Sequence, residues 1–204
     1  MDLVAENLTR FFGRRRIVGP LSFRIVPGTV FGVAGPNGSG KTTLVKTLAG
    51  LLRPSTGAVY LDENGKRRAP RDASESIGWV APDLALYGEL TASENLRFFA
   101  RLHGRPAGAE WADAAIAGVG LDPKRIATTP LRALSTGQRQ RVKLVYATLH
   151  EPAVLFLDEP SSNLDEAGRA VVARFVEEQR TRGVAVVASN DPGDLALASE
   201  RVTL

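Results

Sequence analysis

Cysteine is absent from all 204 residues, so neither a disulfide nor a thiolate metal site can form, and a reducing cytoplasm suits the chain. The N-terminus lacks a basic region followed by an apolar stretch of signal-peptide length. No uninterrupted apolar run approaches the ~18 residues of a membrane span, so if the protein works at a membrane, another chain has to provide the span. Aromatic residues make up 6% of the sequence. None is interleaved with the two basic spots, Arg14, Arg15, Arg16 and Lys66, Arg67, Arg68, Arg71, which therefore lack the makings of a base-stacking platform. The balance of 26 Lys and Arg against 22 Asp and Glu, net +4, reads as a solvated surface, with no direct nucleic-acid partner expected.

What is present is ordinary globular material, 44% hydrophobic and 24% charged, in a chain long enough to bury one sizeable core and to carry a small second lobe. Within it, Gly35, Pro36, Asn37, Gly38, Ser39, Gly40, Lys41, Thr42, Thr43 fit the phosphate-loop pattern GxxxxGK[ST]. Thr29 to Ala34 reads as a short buried strand, and Thr42 to Leu52 as a helix with Leu44, Val45, Leu48 and Leu51 on one stripe. A strand feeding a glycine turn that opens a helix lets backbone N–H groups converge on phosphate oxygens, with the positive end of the helix behind them. Lys41 would reach the β- and γ-phosphates of a nucleotide and Thr42 would place a hydroxyl on Mg²⁺.

Ala153 to Pro160 is the second chemical stretch. Its apolar residues without alternation predict a strand buried on both faces, as in a parallel sheet, with Asp158 and Glu159 at the carboxyl edge where such sheets place ligands. Asp158 suits Mg²⁺ reached through oxygen or water, and Glu159 could take a proton from an attacking water. A third stretch, Leu134, Ser135, Thr136, Gly137, Gln138, opens a helix carrying Val142, Val145, Tyr146 and Leu149. It reads either as a second phosphate receptor or as an ordinary helix cap.

In chain order, Leu3 to Arg10 and Leu21 to Val26 alternate as strands, separated by a turn-like Gly13 to Arg16 and by Gly19 and Pro20. Phe11 and Phe12 close the first strand, where an aromatic could stack on an adenine or simply pack. Gly50, Pro54 and Gly57 punctuate a turn; Ala58 to Leu61 and Ile77 to Ala81 are short strands. Thr91 and Glu94 form a capping-box pattern ahead of Leu96, Phe99 and Leu102, with Gly104 and Pro106 as the stop. Trp111 to Val119 is a further helix. Val184 to Ala188 is the last core strand, followed by a short helix over Asp194 to Ser199 and a closing strand over Arg201 to Leu204.

These stretches together resemble the ATPase subunit of an ATP-binding cassette (ABC) transporter: GPNGSGKTT at 35–43, LSTGQ at 134–138 beside the family's LSGGQ signature, VLFLDEP at 154–160 and a D-loop-like SSNLD at 161–165. The compact length is similar to small exporters, including the haem-exporter type. The resemblance implies one α/β domain over 1–204: a P-loop NTPase core (1–82 and 151–204) with a mainly parallel sheet, a small antiparallel β layer and an inserted helical subdomain at about 83–150. It also implies ATP and Mg²⁺ as ligands, and a transmembrane subunit as partner at the cytoplasmic face of the cell membrane. The ATP-dependent homodimer it implies is head-to-tail, with Ser135, Gly137 and Gln138 of one copy meeting the γ-phosphate held by Lys41 of the other. Phe12 would stack on adenine, Glu159 would polarise the water, and Mg²⁺ would sit on Thr42 and, through water, Asp158.

Two departures stand out. Where such proteins show Pro then Gln after a strand like Ile77 to Val80, this chain has Ala81 and Pro82, leaving Asp83 as the candidate second metal contact. Where they place a histidine after the last core strand, it has Asn190, which can donate a hydrogen bond to a phosphate but cannot carry a proton near neutral pH. Leu84, Ala85, Leu86 and Tyr87 then form an apolar connection, which in the resembling family borders the groove for a membrane-subunit helix.

Overall fold

The computed structural model describes residues 1–105 and 107–204. The chain opens with a hairpin of β1 (Asp2–Phe12) and β2 (Arg15–Ile25), turning at Gly13 and Arg14. Gly19 and Pro20, expected to separate strands, lie inside β2, where the pairing with β1 shifts register and absorbs them. β4 (Thr56–Glu63) pairs with β1, and β5 (Lys66–Arg68) with β4, giving an antiparallel sheet of order β2-β1-β4-β5.

The second sheet contains β3 (Val30–Ala34), β6 (Ile77–Val80), β7 (Val154–Asp158), β8 (Val184–Ser189) and β9 (Glu200–Thr203), in the order β6-β7-β8-β3-β9. Every pairing in it is parallel. Its strands face two ways. Val154 and Phe156 join a core with Leu3, Leu8, Phe31 and the helix α1 (Lys41–Leu48). Leu155 and Leu157 join a second core built by the helices on the other side. Burial on both faces is why β7 is apolar from Val154 to Leu157, since a strand between two cores has no solvent side on which to alternate.

Those helices are α2 (Ala92–Leu102), α3 (Ala109–Gly118), α4 (Thr136–Thr148) and α5 (Glu166–Arg182). The Thr91/Glu94 capping box forms as expected. Gly104 at φ 69° ends the following turn, while Pro106 lies outside the described residues. Leu96 is fully buried, but Leu102 is 67% exposed because it faces away from the stripe set by Ala92, Leu96 and Ala100. α2, α3 and α4 lie between β6 and β7 in the chain, yet their core is continuous with the sheet: Leu96, Ile116 and Leu144 share one cluster with Val80, Leu157 and Val187. Gly78 makes this possible, because a Cβ there would run into the Ala147 carbonyl of α4.

Two further expectations are corrected. α1 ends at Leu48, and Gly50 at φ 76° turns the chain, so Leu51 leaves the stripe and is 57% exposed. The short helix after β8, α6, spans Pro192–Leu195 rather than Asp194 to Ser199, because Asp191 caps it by accepting from Gly193 N–H at 2.7 Å. Lys66, Arg67 and Arg68, read as solvated surface, are indeed exposed but form β5, turned by Asn64 and Gly65. Leu86 packs against the helical-side core, and Tyr87 stays half exposed, stacked among Phe98 and Phe99 with ring centroids 5.3 and 5.7 Å away. No helix of the described residues is long and apolar enough to cross a membrane.

Candidate functional site

Parallel strands end on one edge, and register fixes who meets there. Ala34 lies opposite Ser189 and Asp158 opposite Ala188, so the segments after β3, β7 and β8 converge. Gly35 to Gly40 form the loop between β3 and α1. Gly40 is the residue before α1, in the left-handed region at φ 106° with Ile17 Cγ2 only 2.9 Å from where a Cβ would lie; a side chain is barred there by both conformation and space. The first turn of α1 carries no acidic residue, leaving the helix's positive end free for an anion.

Lys41 is 5% exposed, and its ammonium lies beneath the loop. It donates to Gly35 O at 2.9 Å and Pro36 O at 3.3 Å and stands 3.3 Å from Glu159 Oε1. Asn37, Gly38 and Pro36 face solvent, while Ser39 Oγ is buried without a partner. The Thr43 carbonyl accepts from Thr47 Oγ1 inside α1 at 2.6 Å. Asn190 reaches the same loop: its Nδ2 donates to Asn37 Oδ1 at 3.0 Å.

Thr42 Oγ1 donates to Asp158 Oδ2 at 2.7 Å. Asp158 is 2% exposed, and its Oδ1 has no partner. Burial pushes its carboxyl above the usual carboxylate range, opposed by the Thr42 hydrogen bond and reinforced by neighbouring Glu159. An unpaired buried carboxylate oxygen beside a hydroxyl is an oxygen-only donor set of the kind Mg²⁺ prefers, so these residues fit that ion. Asp83, the third expected ligand, is engaged elsewhere: Lys46 Nζ lies 2.6 Å from its Oδ2 and holds the carboxyl below its ordinary value.

Glu159 turns the chain at φ 47°, with its N–H bonded to Ala188 O at 2.8 Å. A left-handed non-glycine residue costs about 1–2 kcal/mol, and this turn aims the carboxylate between Lys41 and Ser189, whose Oγ is 3.2 Å from Oε2. Its side chain is 25% exposed, so water can reach it.

Ser135 caps α4 and Gln138 completes a capping box, with Gln138 N–H on Ser135 Oγ at 3.2 Å and Ser135 N–H on Gln138 Oε1 at 2.9 Å. Ser135 therefore acts as a helix cap. Ser135, Gly137 and Gln138 line a cleft with Arg141, Asn163 and Asp165, and no residue of Gly35 to Thr43 belongs to it. The phosphate-loop pattern and the Ser135–Gln138 stretch therefore lie at two separate places on the chain. Phe12, 50% exposed at the end of β1, carries the Arg10 guanidinium 4.7 Å from its ring centroid.

Sequence reasoning passed over Gln140, Ser161, Ser189 and Asp194. Gln140 Nε2 donates to Pro160 O at 3.1 Å, tying the helix that Ser135 caps to the turn after Glu159. Its signal was a polar residue on the apolar face of α4.

The chain matches the ABC transporter family model over residues 18–162. It is 35% identical to the cytochrome c biogenesis ATP-binding export protein CcmA of Pseudomonas aeruginosa over 199 residues, covering 98% of this chain and 97% of that protein. It is 32% identical to the ABC transporter ATP-binding protein YbhF of Escherichia coli over 200 residues, 98% of this chain but only 35% of YbhF. A solved ATP-binding subunit of an ABC transporter superposes with a TM-score of 0.83 at 26% identity, covering 100% of this chain and 86% of the other.

Proposed function

The chain belongs to the ABC transporter family, and from that membership and the converging site we propose that it binds and hydrolyses ATP to drive transport through a separate membrane subunit. The observation that carries this reading is the meeting of Lys41, Asp158, Glu159 and Asn190 at one sheet edge, with Lys41 and Glu159 3.3 Å apart. When nucleotide enters, Lys41 exchanges part of its bonding to Gly35 O, Pro36 O and Glu159 for phosphate oxygens, and the amides of Gly38 to Thr43 take up others. Releasing Glu159 frees its carboxylate to accept a proton from water. Asn190 donates to the phosphate end in place of Asn37, and Phe12 offers its ring to adenine.

Thr42 and Asp158 would hold Mg²⁺, with Asp83 joining them on giving up Lys46. Bound there, the ion supplies charge neutralisation at the phosphates. Because Ser135, Gly137 and Gln138 lie in another cleft, they would serve the Lys41 site of a second copy, giving a head-to-tail homodimer. The 83–150 block would act as the helical subdomain, with Leu84 to Tyr87 beside the membrane subunit at the cytoplasmic face of the membrane. CcmA is named for export.

Steady-state phosphate release by the purified chain tests the proposal: Mg-ATP turnover abolished in Glu159→Gln is the expected result, and turnover indifferent to Glu159 refutes it. Asn190 in place of a histidine favours one second reading, a nucleotide-gated binding module with little turnover. ATP binding and dimerisation without phosphate release would select it.

A further inference from the structure

Asp194 is 3% exposed and takes no part in the steps above. It sits in α6, a single turn fastened from two sides: Asp191 accepts from Gly193 N–H, and Arg169 of α5 bonds Asp191 Oδ2 at 2.6 Å. Both Asp194 oxygens are used. Oδ1 accepts from Ser161 Oγ, two residues beyond Glu159, and Oδ2 accepts from Ser189 Oγ at 2.8 Å, at the end of β8 beside Asn190. A buried carboxylate is costly unless donors surround it, and here both side-chain donors come from segments that carry the hydrolytic site.

Ser189 gives the arrangement its direction. Its Oγ accepts Asp191 N–H at 3.1 Å and has two carboxylate neighbours, Asp194 Oδ2 at 2.8 Å and Glu159 Oε2 at 3.2 Å. A serine hydroxyl has one proton to donate, and the shorter contact claims it. The Ser189 hydroxyl is thereby turned toward Asp194, leaving Glu159 Oε2 free of a donor from this side. If Asp194 were lost, the same proton would swing to Glu159 and occupy the oxygen that a water must approach, while Ser161 and the turn after Glu159 would lose their anchor.

We infer that Asp194 is a positioning residue for hydrolysis: through Ser161 and Ser189 it locks the turn after Glu159 to the end of β8, so that the Glu159 carboxylate and the Asn190 amide keep their relative places at the phosphate loop. The inference rests on the hydrolytic reading of Glu159. The Asp194 carboxylate accepts from Ser161 and Ser189 and reaches Glu159 and Asn190 through these two hydroxyls.

The test compares Asp194→Asn, Ser161→Ala and the isosteric pair Ser189→Thr and Ser189→Val for Mg-ATP hydrolysis at saturation, equilibrium ATP affinity and amide hydrogen exchange over 159–165. Asp194→Asn is expected to lose about tenfold or more in kcat with ATP affinity changed less than about threefold. Ser189→Thr, which keeps the hydroxyl, should exceed Ser189→Val by about fivefold or more, since the two differ only in that group. Exchange over 159–165 should quicken in Asp194→Asn and in Ser161→Ala. If Asp194→Asn misfolds, Ser161→Ala and the Thr/Val pair, which alter single groups, still decide the matter. Equal kcat for Ser189→Thr and Ser189→Val, or a fall in kcat matched by an equal fall in ATP affinity, would overturn the positioning role. An active wild type beside an equally active Asp194→Asn overturns that role alone, whereas a wild type without Glu159-dependent turnover removes the hydrolytic reading and this role with it.

Discussion

Lys41→Met removes a buried cation while keeping most of the stem, and its consequence for nucleotide affinity can be worked from the contacts. The ammonium has Gly35 O at 2.9 Å, Pro36 O at 3.3 Å and Glu159 Oε1 at 3.3 Å. A phosphate oxygen would replace Glu159 and one carbonyl, and charge-assisted hydrogen bonds contribute about 1.5–3 kcal/mol each. Two such bonds, less what Lys41 gives up in leaving Glu159, come to a net of about 2–3 kcal/mol, or roughly 30- to 150-fold in Kd at ~1.4 kcal/mol per decade. The variant also leaves the Glu159 carboxylate without its counter-charge, so the melting temperature should fall slightly. Calorimetric titration with ATP, alongside thermal melts, measures both. An ATP affinity within about threefold of wild type in a folded Lys41→Met chain would refute the assignment of Lys41 to phosphate, because no other cation of the described residues lies so deep beneath the loop.

Glu159→Gln keeps the shape of the site without the proton acceptor, so Mg-ATP should hold a dimer that sediments as such; a species that stays monomeric with ATP bound would count against the head-to-tail arrangement. Asn190→His should raise turnover by about tenfold, equivalent to only ~1.4 kcal/mol of barrier; no gain in phosphate release would mean that the site operates around asparagine. His150 lies half buried with its ring stacked on His103 at 4.4 Å and Nε2–H on Ile77 O at 2.9 Å. Burial lowers its pKa below the ordinary 6.5, so the unfolded chain takes up the proton first as pH falls. Stability should accordingly drop below about pH 6.5 by up to ~1.4 kcal/mol per unit. Urea unfolding between about pH 7.5 and 5.5 should show a slope that flattens in His150→Gln.

The chemical stretches were legible because each has a local cause: glycines where the backbone turns left-handed, a carboxylate pair where a doubly buried strand ends, a hydroxyl where a helix begins. Other parts had no such cause. α5 carries its buried residues at Gly168, Val172, Phe175, Val176 and Gln179, a stripe in which a glycine and a glutamine replace two apolar positions and blur the helical period. β5 is wholly exposed and charged; its only signal was Asn64-Gly65, both at positive φ, a hairpin turn that composition alone hides among basic residues. Asp194, Ser161 and Ser189 come together only because β7 and β8 are neighbours in the parallel sheet, and no spacing along the chain announces that.

Two lysines join the segment after β6 to the helices on either side of it. Proline has no N–H, but its carbonyl still accepts. Lys143 Nζ, from α4, donates to Ala81 O at 3.1 Å and Pro82 O at 3.0 Å, while Lys46, from α1, pairs with Asp83 at 2.6 Å. The connection offers the acceptors and the two helices supply the donors. These ties are unequal. Asp83 is 63% exposed in its pair with Lys46, and so open an ion pair contributes about 0–1 kcal/mol. Lys143, whose pKa burial lowers, instead places two hydrogen bonds on backbone carbonyls. The end of β6 is therefore tied to α4, the helix that Ser135 caps, through two backbone carbonyls and to α1 through one open ion pair.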